Sequence, residues 1–172
     1  MEHKEIFKEL ANCKIKGMMF HSNMADFYAF LNCCKFKNLH NKRFIEESEE
    51  LREIKDYYIT TYERTLLTGD GQLEVENITP AEWDEANFTP AERIKYIKYG
   101  VEVYEAYEQK THDHMKKLAD MLYAKGCYED YKMVRKLIDD VILELSRVRD
   151  LRTYIEQTGF NIDTDEGIEY RM

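Results

Sequence analysis

The sequence predicts an all-α protein, a bundle of four long helices arranged as two antiparallel hairpins joined by a long crossover. Three observations carry that expectation. Among 172 residues there are only 7 Gly and 2 Pro, the usual turn formers, while charged residues reach 34%. Apolar residues recur at alternating steps of three and four over stretches of about thirty residues, the period of packed helices. The links between those stretches are short, long and short.

Each helix follows from its own seam. Ile6, Leu10, Cys13, Gly17, Phe20, Met24, Phe27, Leu31 and Cys34 mark the first, over residues 3–34. The segment from Lys35 to Asn41 reads as a link, with Asn41 able to cap the second helix. Phe44, Leu51, Ile54, Tyr58, Tyr62 and Leu66 give that second helix over 42–67, ended by Thr68-Gly69-Asp70-Gly71. Ile94, Ile97, Val101, Tyr104, Met115, Leu118 and Leu122 give a third over 90–125, stopping near Gly126. Val134, Leu137, Val141, Val148, Leu151 and Ile155 give a fourth over 129–157. The bundle is thus expected within 1–158, with 159–172 an acidic, loosely attached tail that is removable without unfolding.

The second link holds two copies of one signal. Thr79-Pro80-Ala81-Glu82 and Thr89-Pro90-Ala91-Glu92 both read as capping boxes, Thr at the N-cap, Pro at the first helical position and Glu three after the cap. The first predicts a short helix near Trp83, the second the start of the third helix. Helices of this length span roughly 40 Å at 1.5 Å per residue. A link of about twenty residues reaches about 66 Å when extended, enough to return along the bundle. A simple up-down bundle with a large loop is the alternative topology.

Composition also excludes functions. With 34 Asp and Glu against 25 Lys and Arg, the net charge is -9, the wrong sign for wrapping nucleic-acid phosphates and the right one for binding cations. No apolar run is long enough to span a membrane, and Met1-Glu2-His3-Lys4-Glu5 does not resemble a signal peptide, so the expected compartment is the cytoplasm. Cys13, Cys33, Cys34 and Cys127 show no CxxC or zinc-site spacing and read as reduced core residues. No GxSxG elbow or Gly-rich phosphate loop occurs.

The informative positions are polar residues inside the seams. Glu108 and Thr111 interrupt the third helix, Glu144 the fourth, and Glu47 the second with Glu50 at its edge, while His21 flanks Phe20 and Met24 in the first. Glu108 and Glu144 are each 18 residues from Gly126, so antiparallel partners place them face to face. Buried carboxylates require compensation, by a metal, a shared proton or basic partners. His112, one turn after Glu108, and Asp140, one turn before Glu144, can reach the same layer. Lys14, Arg147 or Lys55 could supply counter-charges without a metal. His3, His40 and His114 are expected at the surface or boundary, and most of the 13 Tyr in core or boundary positions.

This pattern resembles the ferritin-like superfamily of diiron carboxylate proteins, whose ligands are a Glu on each of two helices and a Glu-x-x-His on each of the others. Glu46-Glu47-Ser48-Glu49-Glu50 is similar to the family's EExxH with Glu50 in the histidine place. His21 stands where the first helix would carry its Glu, and Glu108 is similar to the third-helix Glu, with His112 as companion. Glu144 or Asp140 matches the fourth-helix acid, and Arg147 stands where the second histidine would be. The resemblance implies a metal site made of His21, Glu47, Glu50, Glu108 and Glu144, with His112 and Asp140 as second choices; a one-turn shift would use Glu50 and Glu53 instead. It implies one or two iron ions, with manganese or magnesium as alternatives, possible ferroxidase-like or diiron oxidoreductase activity, iron oxidation or storage, and a homo-oligomer. Neither Glu-x-x-His is intact, which favours binding over oxygen activation.

Two other functions start from the same residues. Phe44 to Leu51 is also similar to the EExxE motif of magnesium-dependent all-α nucleoside triphosphate pyrophosphohydrolases, although Lys136-Leu137-Ile138-Asp139 has Lys in the Glu place of their partner motif. A metal-free helical interaction or assembly protein would keep the fold alone.

Overall fold

The computed structural model describes residues 1–68 and 73–159. It contains α1 (His3–Phe30), α2 (Cys34–Tyr62), α3 (Arg93–Ala124, entered through a 3-10 turn at Pro90–Glu92) and α4 (Tyr128–Thr158), with no strand among the described residues. None of these helices is long and apolar enough to cross a membrane.

Residue pairs across the bundle give the topology. Lys14 meets Glu47 and His21 meets His40, so α1 and α2 are antiparallel. Glu9 meets His114, His21 meets Glu108 and Tyr28 meets Ile97, so α1 and α3 are antiparallel too. Hence α2 and α3 run parallel. A parallel pair cannot be joined by a tight turn, and the chain returns along the bundle through the crossover: Tyr62 lies at one end beside Asp130, whereas Arg93 donates to the carbonyl of Asn32 at the other. This is the two-hairpin arrangement with a long crossover, and it excludes the simple up-down bundle.

The helix limits differ from the seam reading. α1 ends at Phe30 rather than 34, because Asn32 takes a left-handed conformation (φ 56°) and Cys33 N–H donates to the Tyr28 carbonyl, closing the helix end. α2 starts at Cys34 rather than 42, and the expected link at 35–41 is helical. Its inward face is Phe36, Leu39, His40 and Arg43, all buried, so the 3.6-residue period continues back through polar residues. Asn41 caps nothing. α2 ends at Tyr62 rather than 67, where Glu63 adopts φ 50°. The α3–α4 turn lies where expected, with Gly126 at φ 74°, a conformation that costs little without a Cβ.

Of the two capping boxes, only the second caps a helix. The Thr89 amide and hydroxyl both donate to the Glu92 carboxylate at 3.0 Å. At the first, the Trp83 amide donates to the Pro80 carbonyl and the chain turns once without forming the expected helix. Glu82 is instead drawn to Lys95 at 2.9 Å. Trp83 packs among Phe27, Phe30 and Tyr96, which pins the crossover to the bundle end. The acidic tail lies outside the described residues beyond Gly159.

The apolar core divides into two clusters. One gathers Phe20, Met24, Tyr28, Ile97, Tyr104 and Val148; the other gathers Ile6, Leu10, Ile54, Met115, Leu118 and Val141. Between them lies a layer of buried polar groups: Lys14, His21, His40, Arg43, Glu47, Glu108 and Glu144.

Candidate metal centre

The helices bring these groups to one level because each carries a polar residue on its inward line. On α1 that line is Phe7, Leu10, Lys14, Gly17, His21, Met24 and Tyr28, one position off the expected seam in places: Cys13 is half-buried, Cys34 is exposed, and Lys14 is fully buried. Ile94 is likewise exposed rather than core. Gly17 makes room for Glu47, since a Cβ there would lie 2.7 Å from the Glu47 Cδ.

His21, Glu47 and Glu108 converge, with one ligand atom from each lying within 4.8 Å of the others, all buried. His21 Nε2 is 3.5 Å from Glu108 Oε1. Glu108 is completely buried and accepts no hydrogen bond at either oxygen. A buried carboxylate in that state costs several kcal/mol, on the order of a lost ionic hydrogen bond or more. Two ligands at about 2.1 Å from one ion are at most about 4.2 Å apart, so the trio fits a single divalent ion with little movement.

The imidazoles are set for that role. His21 Nδ1 and His40 Nδ1 are 2.9 Å apart, so one ring donates to the other. Burial, Arg43 and Lys14 hold the His21 pKa well below its ordinary value. Burial, His21 and Arg43 do the same to His40. When His21 is the donor, its Nε2 turns a lone pair towards Glu108, the form a metal ligand requires, with His40 orienting the ring. His40, expected at the surface or boundary, is therefore a core residue; its polarity concealed it, and only its place one turn after Phe36 on the 36–39–40–43 face could have revealed it.

The other carboxylates are held by protein cations and hydroxyls. Lys14 pairs with Glu47 at 3.2 Å and closely with Glu50. Burial opposes its charge, but Glu47 and Glu50 outweigh burial and push its pKa up. Glu144 accepts from the Tyr104 hydroxyl and lies 3.6 Å from Arg43 Nε and 3.4 Å from Arg147 Nη1. Burial pushes both Glu47 and Glu108 up to about 7; Lys14 and Arg43 oppose this in each case. Burial thus favours the protonated form at both carboxylates in the absence of a further cation.

Of the expected ligands, His21, Glu47 and Glu108 meet. Glu50 is at the edge, engaged by Lys14, and Glu144 stands beside them, engaged by Arg43, Arg147 and Tyr104. His112 points away to exposed Asp113 at 3.0 Å, and Asp140 is exposed, lining a polar cleft of about 270 Å³ between α2 and α4 with Glu46, Glu49, Glu50 and Glu53. On α2, Glu47 faces the layer with Glu50 at its edge, while Glu53 faces outward to Lys136 at 2.7 Å. Two of the anticipated counter-charges, Lys14 and Arg147, are present; Lys55 turns to Thr68 instead, and Arg43 takes its place.

The fold is that of a ferritin-like four-helix bundle. Among solved structures, the chain is similar to an open-pore ferritin of the hyperthermophilic archaeon Archaeoglobus fulgidus, with a TM-score of 0.73 and 14% identity over 100% of this chain and 99% of that one. It is equally similar to a closed form of that ferritin engineered by site-directed mutagenesis, with TM-score 0.73 and 14% identity, covering 100% and 98%. No protein-family model matches the chain, and no curated protein matches it in sequence.

Proposed function

We propose that the protein is an iron-handling bundle that takes one divalent iron ion in its central layer through His21, Glu47 and Glu108. The observation that carries this reading is Glu108, buried without a hydrogen bond, facing His21 and Glu47. Two carboxylates and an imidazole suit iron or manganese; magnesium is less suited, because it prefers oxygen ligands alone. The ion would supply the positive charge the trio lacks, and Lys14 and Arg43 would balance Glu50 and Glu144. Similarity to the Archaeoglobus fulgidus ferritins supports iron storage as the purpose and association of several copies as the working form.

Anaerobic titration of metal-free protein with ferrous iron tests this, with saturation expected at one ion per chain. The Glu108→Gln and His21→Ala variants should lose that binding, and chelation should lower the melting temperature of the wild type alone. Absence of binding to the wild type would refute it. Light scattering checks the association, and a monomer at all concentrations counts against it.

A metal-free scaffold is favoured by one observation, the internal ion pairs of Lys14 and Arg43. It predicts that replacing Glu108 and Glu144 together by Leu matches or exceeds wild-type stability, with no metal to lose. The pyrophosphohydrolase reading is not favoured: Glu50 of its motif is engaged by Lys14, and Glu46 pairs with Arg43.

A further inference from the structure

At the end of the bundle away from Trp83, α1 and α4 begin side by side. His3, in the first turn of α1, places its Nε2 2.7 Å from Asp130 Oδ2 in the first turn of α4, although the two are 127 positions apart. Cys127 precedes α4 as its N-cap residue and carries a free thiol. One ligand atom each from His3, Cys127 and Asp130 lie within 4.8 Å of one another. Asp130 is only 2% exposed, and its position is not left to chance: the Tyr57 hydroxyl donates to Oδ1 at 2.8 Å and the Tyr62 hydroxyl to Oδ2 at 2.6 Å. His3 and Cys127 are half-buried, so solvent reaches the cluster.

We propose that His3, Cys127 and Asp130 form a second cation site, for zinc or a similar thiophilic divalent ion, which fastens the start of α1 to the start of α4. The donor set differs in kind from the central layer. Imidazole, thiolate and carboxylate together are a zinc set, with a fourth position left to water. One thiolate and one carboxylate neutralise a divalent charge, and the proton released comes from the Cys127 thiol. Tyr57 and Tyr62 orient the carboxylate as hydrogen-bonding partners behind a ligand do. They come from α2, so the site would tie both hairpins together. Sequence spacing could not show it, because the three donors meet only after folding.

Cobalt(II) is the probe, since a cysteine ligand gives a thiolate-to-cobalt charge-transfer band. Metal-free wild-type protein, reduced and titrated with Co2+, should develop that band and saturate it at one ion per chain. Cys127→Ser should abolish the band, His3→Gln should weaken binding at least tenfold, and Tyr62→Phe should weaken it about tenfold. Glu108→Gln should leave the band intact, which separates this site from the central one. With the central site removed by Glu108→Gln, zinc should raise the melting temperature of that variant and not that of Glu108→Gln/Cys127→Ser, with circular dichroism confirming that both are folded. A wild type without the band, a band that survives in Cys127→Ser, or a band lost in Glu108→Gln overturns the proposal.

Discussion

Replacing Glu108 by Gln in chelator-treated protein should make the bundle more stable, and increasingly so as the pH rises. Burial, against the opposing pull of Arg43 and Lys14, raises the folded-state pKa of Glu108 to about 7, while an unfolded chain titrates the same group at about 4.3. Below the unfolded value both states carry the proton, and neutral Glu and Gln are nearly equivalent. Between the two values the unfolded state ionises first, so the wild type loses stability relative to the variant by about 1.4 kcal/mol per pH unit. Above the folded value the loss is complete, at about 4 kcal/mol, or roughly 8–16 °C for a chain of this length. Thermal melts followed by circular dichroism from about pH 5 to about pH 8.5 read it directly. A difference between variant and wild type that is flat with pH, or a variant less stable at the alkaline end, would refute the account of Glu108 as an uncompensated buried acid. Repeating the melts with ferrous iron under anaerobic conditions should invert the order. The ligand protons must leave for an ion to bind, so the wild type gains most at high pH, where the variant gains nothing.

Gly17→Ala should weaken iron binding, because the new Cβ would lie 2.9 Å from Glu47 Oε2 and displace that carboxylate. Gly100→Ala is its control: the Cβ would meet the Tyr28 hydroxyl at 2.5 Å and disturb its bond to the Ile97 carbonyl, lowering the melting temperature without changing iron stoichiometry in a titration. Tyr104→Phe removes a buried donor to Glu144 and should cost about 1–3 kcal/mol in denaturant unfolding. Arg43 and Arg147 remain on that carboxylate, so its iron binding should stay at the wild-type level.

Glu108 and Glu144 were legible in the sequence because each breaks an otherwise apolar line and both sit equally far from Gly126. The two-hairpin topology was legible from link lengths. What escaped were His40 and Arg43, and the place of Lys14, anticipated as a counter-charge, on the inward line of α1. Reading α1 through its apolar residues finds the buried Ile6, Leu10, Phe20, Met24, Phe27 and Leu31 but also selects Cys13 and Cys34, which are not buried, and passes over the adjoining buried line that carries Lys14 and His21. A lysine is discounted in such a search because its burial is unfavourable unless paired, and its partners Glu47 and Glu50 lie on another helix. The start of α2 was hidden for a related reason. Lys35, Lys37, Asn38 and Asn41 give the segment the composition of a link, while Phe36, Leu39, His40 and Arg43 carry the buried face.

On the proposed iron-binding reading, Lys14 would limit the layer to one ion. Its ammonium sits between Glu47 and Glu50, the place where a second cation bridging those carboxylates would have to go, and a tethered charge cannot be outcompeted by dilution. Lys14→Met keeps most of the side chain's length and removes the charge. In metal-free protein it leaves two adjacent carboxylates without their partner, and breaking a buried pair in this way costs about 3–5 kcal/mol. A divalent ion restores the missing charge, so the iron-induced rise in melting temperature should exceed that of the wild type, and the titration should saturate at two ions per chain instead of one. Unchanged stoichiometry together with an unchanged iron-induced rise would mean that Lys14 supports packing alone and that the capacity of the layer is set elsewhere.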